Sequence, residues 1–317
     1  MVIGAGVVGL SCAVRLLETG HRVDVVARDL PLETTSAVAA AIWYPYRAFP
    51  FERVTAWAAA SYAEFDALAT DPDSGVSMVE GTELHRDHEP DPWWSGAVPD
   101  LTRLSTKPAP YVDGWTFTTP LVEMPRYLPW LTARVSQLGG TLTRMALTGL
   151  PDDGVVVNAS GMGARLIAGD CSVLPVRGQV VYVEQVGLDR WWLDESGPTY
   201  VVPRAHDIVV GGSDDEGEWD IQPDPERAAR ILERASALVP ELAGARVLRH
   251  SVGLRPVRPS VRLEVEVASP HRVVEPVETT NAGGRVVHCY GHGGAGVTLS
   301  WGCADEVASL VAELLSD

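Results

Sequence analysis

Lysine is nearly absent: Lys107 is the only one among 317 residues, so positive charge rests almost wholly on arginine. With 25 Lys and Arg against 42 Asp and Glu, the formal charge is -17. That balance removes the basic face which nucleic acid or an anionic membrane surface requires. It also slows the approach of multiply charged anions and so favours a neutral or singly charged substrate. Cysteine is scarce as well. Cys12, Cys171, Cys289 and Cys303 make no C-x-x-C pair and no zinc-like spacing, which predicts reduced structural thiols. His85 and His88 have no third metal ligand near them in sequence, so no metal site is expected. The sequence shows no run of roughly 18 apolar residues, no signal-peptide pattern and no peroxisomal C-terminus, which predicts a cytoplasmic protein with no membrane partner.

What is present is an apolar chain, 46% hydrophobic, long enough for one large core or two coupled ones. Gly4, Gly6 and Gly9 form G-x-G-x-x-G after a very short apolar start, Met1 to Ile3. A helical pattern follows through Leu16 and Leu17 to Gly20, and a second apolar strand, Val23 to Ala27, ends in Arg28-Asp29. Strand, glycine turn, helix and strand within about thirty residues are the full context of a dinucleotide site, where backbone amides and a helix N-terminus receive a pyrophosphate. An acidic residue usually follows the second strand to hold the ribose; here Arg28 precedes Asp29, and an arginine there leaves NADP open. Thr34-Thr35-Ser36 and the small residues Ala37 to Ile42 either bind phosphate oxygens and a flat ring or simply cap a helix.

Two further strand-to-glycine junctions repeat this logic. Val155-Val156-Val157 reads as a buried parallel strand running into Ser160-Gly161, and Val286 to Tyr290 runs into Gly291 to Gly296 before a C-terminal helix. Helical patterns span Trp57 to Ala69, Met124 to Leu138 and Pro225 to Val239. Thr199 to Pro203 and Ile208 to Val210 should pair antiparallel, with Tyr200 and Val202 on one face, after a loop holding Trp191 and Trp192. A surface hairpin or insertion is expected between Ser269 and Gly284. The resulting fold class is α/β: a Rossmann-type nucleotide-binding domain with a parallel sheet (residues 1–70, 126–175 and 285–317) and a second, largely antiparallel α+β substrate domain (residues 71–125 and 176–284).

In Val252 to Pro259, Arg255 and Arg258 each precede a proline, which forces extended backbone. Side chains three apart on extended backbone face opposite ways, so one arginine points inward and one outward. An inward guanidinium on a stiff strand is a planar fork suited to a carboxylate. His292, within the glycine run, is either a base or structural.

Together these motifs resemble the D-amino acid oxidases over nearly the whole chain: V-I-G-A-G-V-V-G-L-S at Val2, A-R-D-L-P at Ala27, N-A-S-G at Asn158, R-G-Q at Arg177, Y-V-V-P at Tyr200, G-L-R-P-V-R-P at Gly253 and Y-G-H-G-G-A-G-V-T at Tyr290. The resemblance implies non-covalent FAD and oxidation of a D-amino acid, its side chain neutral or apolar, to an imino acid that hydrolyses to a 2-oxo acid and ammonia. The Cα hydride passes to flavin N5, and oxygen returns as hydrogen peroxide. It implies Arg255 as carboxylate clamp, Tyr200 as second carboxylate donor, the Gly294 carbonyl as amine acceptor, and Ile42, Tyr44, Val202 and the Trp191-Trp192 loop around the side chain. The implied FAD set is Gly4, Ala5, Gly6, Val7, Val8, Gly9, Arg28, Asp29, Thr34, Thr35, Ser36, Ala41, Ile42, Ala146, Ser160, Gly161, Gly293, Gly294, Ala295, Gly296, Val297 and Thr298. Some members also read A-R-D-L-P, which favours FAD over NADP. Where animal members carry a second lid tyrosine, this chain has Ser196 on a short loop. D-aspartate oxidation would need a second pocket cation, for which Arg204 is the nearest candidate; glycine or sarcosine oxidation, a non-catalytic flavin protein and a homodimer stay open.

Overall fold

The computed structural model describes residues 1–267 and 284–316; the expected hairpin between Ser269 and Gly284 falls outside them. In chain order the elements are β1 (Val2–Ile3), α1 (Val7–Glu18), β2 (Asp24–Ala27), α2 (Phe51–Leu68), β3 (Val76–His85), β4 (Thr102–Arg103), β5 (Asp113–Val122), α3 (Met124–Gln137), β6 (Thr141–Arg144), β7 (Val155–Asn158), α4 (Ala164–Ile167), β8 (Leu174–Glu184), β9 (Trp191–Asp194), β10 (Thr199–Pro203), β11 (Asp207–Gly211), β12 (Asp215–Glu216), α5 (Pro225–Leu238), β13 (Val247–Val267), β14 (Arg285–His292) and α6 (Gly296–Ser316).

One sheet runs through the molecule in the order β4-β5-β3-β9-β10-β11-β8-β13-β14-β7-β1-β2-β6, with β12 paired to β8. The pairs from β14 to β6 are parallel, as continuous apolar strands such as Val155–Asn158 demand, since both faces are covered. The other half is antiparallel except for β3 against β9. The long strand β13 joins the halves. Its first part pairs with β8 from Val247 to Val257, and its second with β14 from Val257 to Val267.

α1, α2, α3 and α6 cover one face of the parallel half. They cross closely because small residues meet there: a Cβ on Gly302 would stand 2.4 Å from the Trp57 carbonyl. Cys12, Leu10, Trp57, Phe65, Trp301 and Val307 fill that core. α5 begins where Asp224 accepts hydrogen bonds from the amides of Glu226 and Arg227, with Pro225 at its first position. It buries Ala228, Ile231 and Ala235 on the antiparallel half.

Candidate active site

The strand-end edges of both halves open onto one cavity of about 820 Å³, running from the first glycine turn to β10 and β13. At one end the turn after β1 needs its glycines. Gly4 has φ +111°, and a Cβ there would stand 2.4 Å from the Ala159 carbonyl; a Cβ on Gly9 would stand 2.0 Å from the Gly4 carbonyl. This lets the backbone lie flat beneath the cavity, with the N-terminus of α1 facing it. Arg28 and Asp29 line the same end, but the Arg28 guanidinium, 75% exposed, folds onto its neighbour, with Nη2 2.5 Å from Asp29 Oδ2. Ser36 accepts from the Val7 amide at 3.0 Å and so ties the loop to the turn, Thr34 donates within the loop to the Pro31 carbonyl and Thr35 to the Leu254 carbonyl of β13, and all three residues line the cavity.

At the other end lie Arg255 and Tyr200. Arg255 Nη1 donates to the Ser213 carbonyl at 2.9 Å and stands 3.5 Å from Asp214 Oδ1, too long for a close fork-to-fork pair. Its guanidinium lies against Gly178 and above the Tyr46 ring, whose centroid is 5.9 Å away. The Tyr200 ring rests on Gly211 and Gly212. Burial raises the Tyr200 pKa, opposed by the adjacent Arg255, so the phenol keeps its proton and can donate. Arg258 takes another course: Nε bonds Asp170 Oδ2 at 2.9 Å, Nη1 bonds the Ser260 carbonyl, and it does not line the cavity.

The third junction closes the cavity. Gly293 has φ +55°, and a Cβ there would stand 2.2 Å from the Arg47 carbonyl; one on Gly294 would stand 2.5 Å from Tyr46 Cδ1. Gly294 donates its amide to the Tyr46 carbonyl at 3.2 Å. His292 also borders the cavity with its ring buried, 3.9 Å from Cys289 Sγ, and burial pushes its pKa down to about 4, so the imidazole is neutral near pH 7.

Of the residues expected here from sequence, Gly4, Ala5, Gly6, Val7, Val8, Arg28, Asp29, Thr34, Thr35, Ser36, Ala41, Ile42, Tyr44, Ala146, Ser160, Gly161, Tyr200, Arg255, Gly293, Gly294, Gly296 and Val297 line the cavity. Four do not. Gly9 sits behind the turn against Gly4, and Ala295 is buried under the start of α6. The Thr298 hydroxyl is engaged by Tyr44, accepting from its amide at 3.0 Å and donating to its carbonyl at 2.9 Å. Val202 shares a face with Tyr200 but is 0% exposed among Leu121, Tyr182 and Val209, beyond the cavity's end. The Trp191-Trp192 stretch is not a loop: it is β9, with Trp191 buried against Gly81 and Phe117. Ser196 turns away, bonding Asp194 and Arg86. Arg204 forks onto Asp207 at 2.6 and 2.7 Å outside the cavity. Tyr46, Gly178, Leu193, Glu195, Pro198 and Asp214 also line it; only Gly178 carried a signal, lying within R-G-Q.

The residues fit FAD. The glycine cradle that any Cβ would fill and the α1 N-terminus suit a pyrophosphate, the long cavity suits a dinucleotide, and the glycine turn at Gly293 and Gly294 brings bare backbone to its far end. No helix among the described residues is long and apolar enough to cross a membrane.

The family model described as FAD dependent oxidoreductase (DAO) matches residues 1–310. The chain is 49% identical over 326 residues to a D-amino-acid oxidase of Rubrobacter xylanophilus, covering 100% of this chain and 96% of the relative. It is 39% identical to a human D-aspartate oxidase, covering 98% and 94%. Among solved structures, glycine oxidase from Geobacillus kaustophilus superposes with a TM-score of 0.80 at 20% identity, covering 98% of this chain and 94% of that one, which speaks for the fold. By its sequence over nearly its full length and by its fold, the chain belongs to the DAO family of FAD-dependent oxidoreductases.

Proposed function

We propose that this protein is a D-amino-acid oxidase whose parallel half, residues 1–70, 126–175 and 285–317, holds FAD and whose antiparallel half holds the substrate. The observation that carries the reading is the convergence of Arg255, Tyr200 and Gly294 on one end of a cavity whose other end is a nucleotide-type glycine turn. Arg255 grips the α-carboxylate as a planar fork, and Tyr200 donates to the same carboxylate. No hydrogen bond from the described residues reaches the Gly294 carbonyl, which accepts from the substrate amine. With carboxylate and amine fixed, the side chain must lie along Ile42, Tyr44 and Leu193, so only one hand of the amino acid aims its Cα hydrogen into the cavity.

FAD, when bound, supplies a two-electron acceptor for that hydride and passes the electrons to oxygen as hydrogen peroxide. The reactive substrate has a neutral amine, because a protonated nitrogen has no lone pair to support charge developing at Cα. The protein's work is orientation, which is consistent with His292 being buried and uncharged. The four free cysteines support a reducing, cytoplasmic setting.

Oxidation of D-aspartate needs a second cation facing the side chain. Among the described residues, the arginines lining the cavity are Arg255 and, at the glycine-turn end, Arg28, which supports D-amino acids with non-acidic side chains instead. A peroxide-coupled screen of the holoenzyme against D- and L-amino acids, glycine and sarcosine tests the reading. Turnover confined to D-amino acids is expected; preference for L-amino acids, glycine or sarcosine would overturn it.

A further inference from the structure

Gripping a carboxylate and an amine does not call for Glu195, yet Glu195 lines the cavity on the turn after β9. Its Oε1 lies 2.6 Å from Tyr44 Oη, and the same hydroxyl lies 2.7 Å from Oε1 of Glu83. A phenol has one proton and donates to one of these oxygens only. His85 completes the group, with Nε2 3.3 Å from Glu83 and Nδ1 3.9 Å from Glu195. Glu83 is two residues from His85 on β3, and the fold adds Glu195 from the turn after β9.

Glu83 is 1% exposed and burial raises its pKa; the His85 pKa is raised as well, its carboxylate neighbours outweighing burial. A proton bound to the group has two places to sit. On Glu83 it donates back to Tyr44, which then donates to Glu195; on His85 it leaves both carboxylates charged. Either placement gives Glu83, His85 and Glu195 a net charge of about one negative, and the member of the group that meets the cavity is Glu195, whose side chain is 48% exposed. Arg86, which bonds the adjacent Ser196, is engaged by Asp194 as well. Glu83 Oε2 is moreover buried without a hydrogen-bond partner among the described residues. The net charge of -17 also favours the approach of cations over anions to the protein as a whole.

We propose that Glu195, backed through Tyr44 by Glu83 and His85, is a cation-recognising subsite at the side-chain end of the cavity. The protein takes D-amino acids with an amine- or guanidine-bearing side chain over neutral ones of equal length, and rejects D-aspartate and D-glutamate. This rests on the D-amino-acid reading of the cavity, and the test separates the two.

D-Ornithine and D-norleucine differ only in a terminal ammonium against a methyl group. The holoenzyme should favour D-ornithine by at least about tenfold in kcat/KM, mostly through KM, and Glu195→Gln should abolish that ratio. In parallel, 5-aminopentanoate and hexanoate, which lack the α-amine and cannot be oxidised, are compared by thermal shift. The first should bind more tightly to the wild type and lose its advantage in Glu195→Gln. A wild type preferring D-norleucine, an E195Q variant that lowers both substrates in parallel, or a metal ion bound stoichiometrically by Glu83, His85 and Glu195 would overturn the subsite. If no D-amino acid is oxidised, the oxidase reading falls, while the two acids still decide whether the cavity end prefers a cation.

Discussion

The guanidinium of Arg255 lies on the bare Cα of Gly178: a Cβ there would stand 2.5 Å from Nη2 and 2.6 Å from Cζ. Because the crowded atoms are the far end of a flexible side chain, Gly178→Ala should displace the fork rather than the strands. Stability to urea should change by less than ~1 kcal/mol, whereas kcat/KM for D-amino acids should fall about a hundredfold from misplacement alone. Unchanged peroxide production in the folded variant would show that Arg255 does not need its present position.

Arg255 and Arg258 should separate by phenotype. Arg255→Ala removes a carboxylate partner in a partly enclosed site, and kcat/KM should fall about a thousandfold, the effect of ~4 kcal/mol. Arg255→Lys should recover only part of this, because an ammonium cannot make two parallel bonds. Arg258→Ala instead frees Asp170, which also accepts from Tyr290 Oη at 2.9 Å, so its loss should appear in the urea midpoint and leave KM nearly unmoved. Steady-state kinetics and urea titrations on both variants check this; a larger kinetic defect in Arg258→Ala would reverse the assignment.

Local pattern explains what was readable in the chain. Gly4 to Gly9, the Val155–Asn158 strand and the extended backbone at Arg255 depend on neighbouring residues only, so spacing located the nucleotide-type turn and set Arg255 and Arg258 on opposite sides. β9 was not readable because Trp191 becomes a strand residue by pairing with Gly81, far away in sequence. Glu195 reaches Glu83 and His85 across that same pairing, which no spacing rule anticipates. Alternation set Tyr200 and Val202 on one face correctly, but where a cavity stops and a core begins depends on Leu121 and Tyr182 from other strands.

The glycine turn should decide cofactor retention separately from the clamp. A Cβ on Gly9 would meet the Gly4 carbonyl at 2.0 Å, and the obstacle is backbone, so the turn itself must shift. Gly9→Ala should purify with little or no flavin absorbance. Gly178→Ala should purify as yellow as the wild type. Full flavin content in Gly9→Ala would place the cofactor elsewhere.

His292 gives the protein an acid-side liability. Burial depresses its pKa to about 4, against roughly 6.5 in an unfolded chain. The unfolded state therefore binds more protons between these values. The contribution is complete above about pH 6.5 and is lost as pH falls towards 4, by up to ~3 kcal/mol. His292→Gln removes this group, while Glu83 and His85 titrate alike in both proteins. The fall in urea midpoint between neutral pH and about pH 5 should therefore be shallower in the variant. Parallel slopes would mean that the imidazole is protonated in the folded protein and that water reaches the glycine turn beside it.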